Sequence, residues 1–372
     1  MSNSHITRRA FLKSIGVMAA SVYLTACSGE KWLTPTLGTP VTNPPGPASS
    51  TVAVVKAENY DRKLVRQQIQ AALDAIGGIG DIVKPGASVA IKVNLTGGTC
   101  CVSPHGVSRA DSYWTHPEVV RALGELLRDA GARNLYIVEG IFTPDSFAEG
   151  GYVDVAKSID AVLVDLNKPE PYTGFAKAAV GSNWSIYENF EFNPVLNNVD
   201  AFISVPKMKC HLICGVTVAM KNLIGLGPMP FYSNKPDDPN RTTFHNGPGG
   251  QEITKHRLPR VVVDLNQARP IHLALVDGIT TTDGGEGPWA EHTHLQAPHV
   301  LIAGKNAVAT DAVATAVMGF DPTAEYPNGP FMHGENHLNI AQSLGLGTNR
   351  LEEIEIKGIA SLNEVRQDFA TG

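Results

Sequence analysis

The segment that decides the fold runs from Ser88-Val-Ala-Ile-Lys-Val-Asn94, through a helix-patterned stretch opened by His116-Pro117 and closing at Ala130, to Asn134-Leu-Tyr-Ile-Val-Glu139. It reads as strand, helix, strand, with Thr115 as the expected N-cap, Pro117 near the first helical position and Gly131 as the stop. Two apolar strands joined by a helix predict parallel pairing. Working outward, Thr51–Ala57 is a strand-like run, and Arg62–Ile76 has helical spacing at Leu64, Ile69, Ala72, Leu73 and Ile76. Beyond Glu139, strands are expected at Ala161–Asp165, Ala201–Val205, His272–Asp277 and His299–Ala303, and helices at Gly215–Ile224, Leu258–Ala268 and Ala307–Met318. The alternation predicts an α/β fold whose mainly parallel sheet is covered by helices on both faces, in one body or two lobes.

The chain has 372 residues, 43% of them hydrophobic, and its 36 glycines have no three-residue period, which excludes disordered and collagen-like classes. A formal charge of -6 argues against nucleic acid as a partner. Thr7-Arg8-Arg9-Ala10-Phe11-Leu12-Lys13 precedes an uncharged run from Ser14 to Ala26, shorter than a comfortable membrane span. Twin arginine before Phe-Leu-Lys resembles the twin-arginine export signal, which hands folded cargo to the export machinery. Leu24-Thr25-Ala26-Cys27 resembles a lipobox, so Cys27 is the expected lipidation site, tethering the body to a membrane on the periplasmic side of the cell envelope. Residues 1–26 are then the signal and 27–50, with five prolines from Pro35 to Pro47, a linker; the α/β body is 51–372. Removing the signal takes Arg8, Arg9 and Lys13 and no acid, which moves the formal charge from -6 to -9.

Ligands of open α/β sheets bind beyond the carboxyl ends of the strands, so the segments that follow strands carry the candidate chemistry. Lys207, Lys209 and His211 follow one strand, with Lys221 and Asn222 close behind. Ammonium groups beside backbone N–H donors suit carboxylate or phosphate. Lys92 and Asn94 follow a second strand, while Asp277, Asp283 and Glu286 lie on a glycine-rich segment that runs to Pro288, and Asp311 comes after Gly304-Lys305. The expected site uses Lys92, Asn94, Lys207, Lys221, Asn222 and Glu286 to hold a small anionic substrate, with His211, Lys209 and Asp277 as the catalytic groups. Asp283 and Asp311 are candidate ligands of a divalent metal.

Cys100, Cys101, Cys210 and Cys214 remain once Cys27 is set aside. Both pairs follow expected strands, and Cys210 and Cys214 share a face if that stretch is helical. Three readings stand: disulfides in an oxidising compartment, a zinc or iron–sulfur site, or buried thiols. His292-x-His294 adds a weak metal-ligand spacing, and Ser103-Pro-His105 reads as a loop. The nucleophile elbow, the phosphate-binding P-loop, the zinc-protease helix and the dinucleotide fingerprint are all absent.

The sequence resembles the bacterial and archaeal family called domain of unknown function 362. The resemblance rests on Thr115–Val120 with Ala130-Gly131-Ala132, on Pro206–His211 followed by Gly215–Leu223, and on Leu275–Ile279 through Gly285–Pro288. It continues through Ala303-Gly304, Ala309–Ala312 and Met318-Gly319, spanning Val52 to Gly347. It implies an α/β body with a ligand site. Relatives often carry threonine where Cys210 stands, which weighs against a shared cluster through that residue. Some relatives are fused to a ferredoxin-like four-cysteine module, and no such module is visible here. Three functional readings follow: an enzyme acting on a small anion, a non-catalytic lipoprotein that binds a ligand or docks a redox partner, or a redox protein whose four cysteines hold a cluster.

Overall fold

A computed structural model describes residues 50–99, 101, 103, 105–234, 239–246 and 251–372. The signal, Cys27, the linker up to residue 49 and Cys100 lie outside the described residues. The first half of the body runs β1 (Thr51–Lys56), α1 (Arg62–Ala75), β2 (Ser88–Lys92), α2 (Pro117–Asp129), β3 (Asn134–Glu139), α3 (Ser146–Glu149), α4 (Tyr152–Ser158), β4 (Ala161–Asp165), β5 (Ala176–Ala179), β6 (Asn189–Phe192) and β7 (Ala201–Ser204). The second half runs β8 (Lys209–His211), β9 (Gly215–Thr217), a 3-10 helix (Lys221–Leu226), α5 (Met229–Tyr232), α6 (Thr242–His245), α7 (Gln251–Ala268), β10 (Leu273–Gly278), β11 (Thr281–Asp283), β12 (His294–Gln296), β13 (Val300–Gly304), α8 (Ala307–Val317), α9 (His337–Ser343) and β14 (Glu355–Lys357).

One sheet of eight strands, ordered β14-β1-β13-β10-β7-β2-β3-β4, organises these elements. Only β13 runs against the others, pairing antiparallel with β1 and β10. The mainly parallel α/β expectation therefore holds, and every strand expected from the sequence is present within two residues of its bounds. Strand alternation shows why both faces need cover. Val89, Ile91, Leu135, Ile137, Ala201 and Ile203 enter the core beneath α1 and α2, whereas Ala90, Tyr136, Val138 and Phe202 enter the core built with α7. Each of the Val, Leu, Ile and Phe side chains among them contributes roughly 1.5–3 kcal/mol of burial.

Two local expectations are corrected. The N-cap of α2 is His116, whose Nδ1 accepts from Glu118 N at 3.2 Å. Thr115 instead ties two loops, its Oγ1 accepting from Asn94 N and donating to Val205 O. The helix expected over Gly215–Ile224 is instead β9, the second strand of a hairpin with β8, followed by the 3-10 turn. Gly215 closes the hairpin at φ +69, a left-handed position where an added methyl would also press on Phe331.

Candidate functional site

Beyond the carboxyl ends of β2 and β3 the chain encloses a cavity of about 650 Å³. Lys92, Asn94, Lys209, His211, Lys221 and Asn222 line it, and so do Glu286 and Cys101. The hairpin explains part of this gathering. With a period of two, Lys209 and His211 face one way together with Thr217, the register partner of Lys209, while Cys210 and Val216 face a hydrophobic core. Glu139, Arg241, His245 and Trp289 also line the cavity, although nothing in their local sequence marked them.

The three lysines of the wall have different partners. Lys92 uses all its donors, bonding Glu139 Oε1 at 2.8 Å, Val93 O at 2.6 Å and Asn222 Oδ1 at 3.2 Å. Lys209 Nζ donates to two neutral acceptors, Asn94 Oδ1 at 2.8 Å and Tyr113 O at 2.7 Å. Lys221 is only 9% exposed, yet among the described residues its ammonium has no hydrogen-bond or ion-pair partner. Burial pushes all three below the ordinary lysine value, Lys209 furthest, with Lys221 adding to the depression of Lys92 and Lys209. Asn94 Nδ2 donates to Asn222 Oδ1, so Lys92, Asn222, Asn94 and Lys209 form one network.

The two histidines of the wall hold opposite tautomers. His211 Nδ1 accepts the Ile213 and Cys214 backbone N–H groups at 3.1 and 3.2 Å, which places its proton on Nε2. His245 Nδ1 lies 3.2 Å from Arg241 O, an acceptor only, so its proton sits on Nδ1 and its Nε2 carries the lone pair. Burial, then Lys221, lowers His211 well below its usual value and His245 to about 4, so both are neutral at pH 7. Burial acts to raise Glu286, but His211, the Trp289 indole donor at 3.0 Å and Lys221 outweigh it and bring the carboxyl down to about 2. Arg241 braces the wall by donating to the Gly140, Pro239 and Gly227 carbonyls and to Asn167.

The other expected site residues lie elsewhere. Lys207 and Asp277 pair with each other at 2.9 Å, fully buried. Lys207 also donates to Tyr60 and Thr280 O, and Asp277 accepts from Tyr60 and His116 N, so both are committed to holding loops together. Asp283 bonds His294 Nδ1, Gln296 Nε2 and Ala370 N. Asp311 accepts from Ala219 N and Met220 N, both at 2.9 Å, and so anchors the turn that carries Lys221; burial pushes it up to about 7.

The described cysteines form no cluster. Cys210 and Cys214 are thiols in different hydrophobic clusters, and Cys210 donates to Ala370 O. Burial raises both thiols, Cys214 to about 12. The disulfide reading fails for these two, and among the described residues no three His, Cys, Asp or Glu side chains are placed to hold a metal ion. Among the described residues the donors expected for a divalent metal or a cluster are thus not gathered, and Cys100 lies outside those residues.

A thylakoid-associated protein of Synechocystis is 25% identical over 285 residues, which is 73% of this chain and 75% of that protein. Among solved structures, the lactate racemase apoprotein of Thermoanaerobacterium thermosaccharolyticum aligns with a TM-score of 0.41 and 12% identity, covering 74% of this chain and 59% of that one. A Thermotoga maritima protein aligns at 0.37 and 12%, covering 70% and 60%. The domain of unknown function (DUF362) matches residues 89–316, the interval that supplies nearly every wall of the cavity, and the chain belongs to that family.

Proposed function

We propose that the chain is an enzyme that acts on a small anionic substrate held in the cavity of about 650 Å³. The observation that carries this reading is Lys221, a buried ammonium that among the described residues has no hydrogen-bond or ion-pair partner and that lines the cavity. A buried charge is costly unless paired, and an incoming carboxylate or phosphate supplies the missing partner. His211 Nε2–H and the Thr217 hydroxyl, which has no partner among the described residues, add neutral donors on the same wall. His245 Nε2 is the proton acceptor of this reading, which gives the cavity an acid–base group as well as an anchor. Calorimetric titration with phosphate, acetate and pyruvate tests the anchor. The Lys221→Met variant is expected to lose at least about tenfold in affinity, near 1.4 kcal/mol. Equal affinity in the two proteins would remove Lys221 from the site.

We also propose that residues 1–26 direct export through the twin-arginine route and that lipid on Cys27 holds the body at a membrane. The twin-arginine and lipobox patterns support this, as does the thylakoid association in the name of the Synechocystis relative. Among the described residues no helix is long and apolar enough to cross a membrane. Cys27→Ala is expected to move the protein from the membrane fraction to the soluble fraction, and unchanged sedimentation with membranes would refute the anchor.

A further inference from the structure

We propose that Lys209 is a nucleophilic amine that condenses with the carbonyl carbon of a small oxo acid whose carboxylate is held by Lys221. The inference deepens the anion reading and rests on it. Four buried lysines cluster around this end of the sheet, and their partners sort them. Lys92 and Lys207 are each paired with a carboxylate, and Lys221 has no partner among the described residues. Lys209 alone has two neutral acceptors, Asn94 Oδ1 and Tyr113 O, and no hydrogen bond to an acid. A neutral amine has two N–H donors and one lone pair. In that form both donors are taken at 2.8 and 2.7 Å, and the lone pair holds the remaining tetrahedral position of an amine that lines the cavity. Burial, followed by the charge of Lys221, holds Lys209 well below the ordinary lysine range, in keeping with the neutral form.

The chemistry closes without an outside oxidant or reductant. The Nζ lone pair forms the N–C bond while the carbonyl π pair moves to oxygen, where His211 Nε2–H, two residues along the same strand face, donates to the developing charge. A proton passes from nitrogen to that oxygen to give a neutral carbinolamine. Its hydroxyl leaves as water with one proton from the Lys221 ammonium, which becomes a neutral amine, and an iminium remains on Lys209. That cation acidifies the adjacent carbon, within the cavity that also holds the His245 Nε2 lone pair. Hydrolysis reverses the steps and restores both lysines.

Full-length protein incubated at pH 7 with pyruvate or glyoxylate and cyanoborohydride, then mapped by peptide mass spectrometry, tests this. One reduced adduct is expected at Lys209, formed at least about tenfold faster than at the exposed Lys168. Adducts that follow surface exposure and spare Lys209 would overturn the assignment. Calorimetry on the same samples separates the two readings. Heat from bound pyruvate without an adduct at Lys209 sinks the nucleophile and leaves the anion site, whereas no heat from pyruvate, glyoxylate or phosphate sinks both. The Lys209→Met variant should lose the adduct, and since the mapping is done on the unaltered chain, the outcome does not depend on that variant folding.

Discussion

Lys207 and Lys221 stand fourteen positions apart in one basic stretch of sequence and have opposite energetics. Lys207 is the counter-ion of Asp277 and satisfies it together with Tyr60 and His116 N. Lys207→Met leaves a buried carboxylate without its cation, so a loss of roughly 3–5 kcal/mol is expected by urea denaturation. Lys221→Met removes a buried charge that has no partner among the described residues, and its unfolding midpoint is expected to stay level or rise. Equal destabilisation by the two substitutions would contradict the division between a structural and a ligand-facing lysine. The sequence marks both as lysines near strand ends, but not which one a protein acid neutralises. That depends on Tyr60, Asp277 and Glu139, brought in from distant segments. For the same reason the roles of Glu139, Arg241 and His245 were illegible: Glu139 reads as the last residue of a strand, and its pairing with Lys92 spans two strands of the sheet.

At the scale of elements, the parallel core was readable because continuous apolar runs between helical patterns have few alternatives. The hairpin that carries Lys209, His211 and Thr217 was not, because its strands are three residues long and its turn is held by a side chain. His211 Nδ1 receives the N–H groups of Ile213 and Cys214, a local bond that no hydrophobic period reports. The 3-10 segment from Lys221 to Leu226 depends on another long-range contact, the carboxylate of Asp311 at its entry. Gly225 lets this segment lie against the Lys92–Glu139 pair: an added methyl would collide with Glu139 Oε1 and stand 2.8 Å from Lys92 Nζ. Gly225→Ala is therefore expected to part that ion pair, cost about 1–3 kcal/mol of stability and weaken anion binding. Unfolding midpoints and phosphate titration check both effects; a variant with unchanged stability and affinity would show that the segment has room to shift.

For the whole molecule, the buried titratable groups predict how it responds to acid. Burial is the leading cause in each of five histidines: His116, His245 and His272 come down to about 4, His337 to about 3, and His211 falls well below its usual value. A base whose folded value lies below its unfolded value of about 6.5 contributes stability that is full above that pH and is lost as pH falls toward the folded value. Three acids act in the other direction. Asp311, raised to about 7, and Asp165 and Asp264, raised less, contribute stability that is full below about 4 and fades as pH rises through their folded values. Five histidines, joined below about pH 5 by the lowered Glu286, against three raised acids leave a net uptake of protons on unfolding between about pH 4 and 6.5, each uncompensated histidine contributing about 1.4 kcal/mol per pH unit. The urea midpoint is thus expected to fall steadily from pH 6.5 to 4.5, and a flat or rising profile would refute the neutral-histidine arrangement. Lys221 is the largest charge contribution to the lowering of His211, His245 and His337. Lys221→Met should accordingly flatten that acid slope. An anion bound at Lys221 should act in the same sense by raising the three histidines, so phosphate binding is expected to be accompanied by proton uptake near pH 5, read as a dependence of the calorimetric heat on the ionisation enthalpy of the buffer.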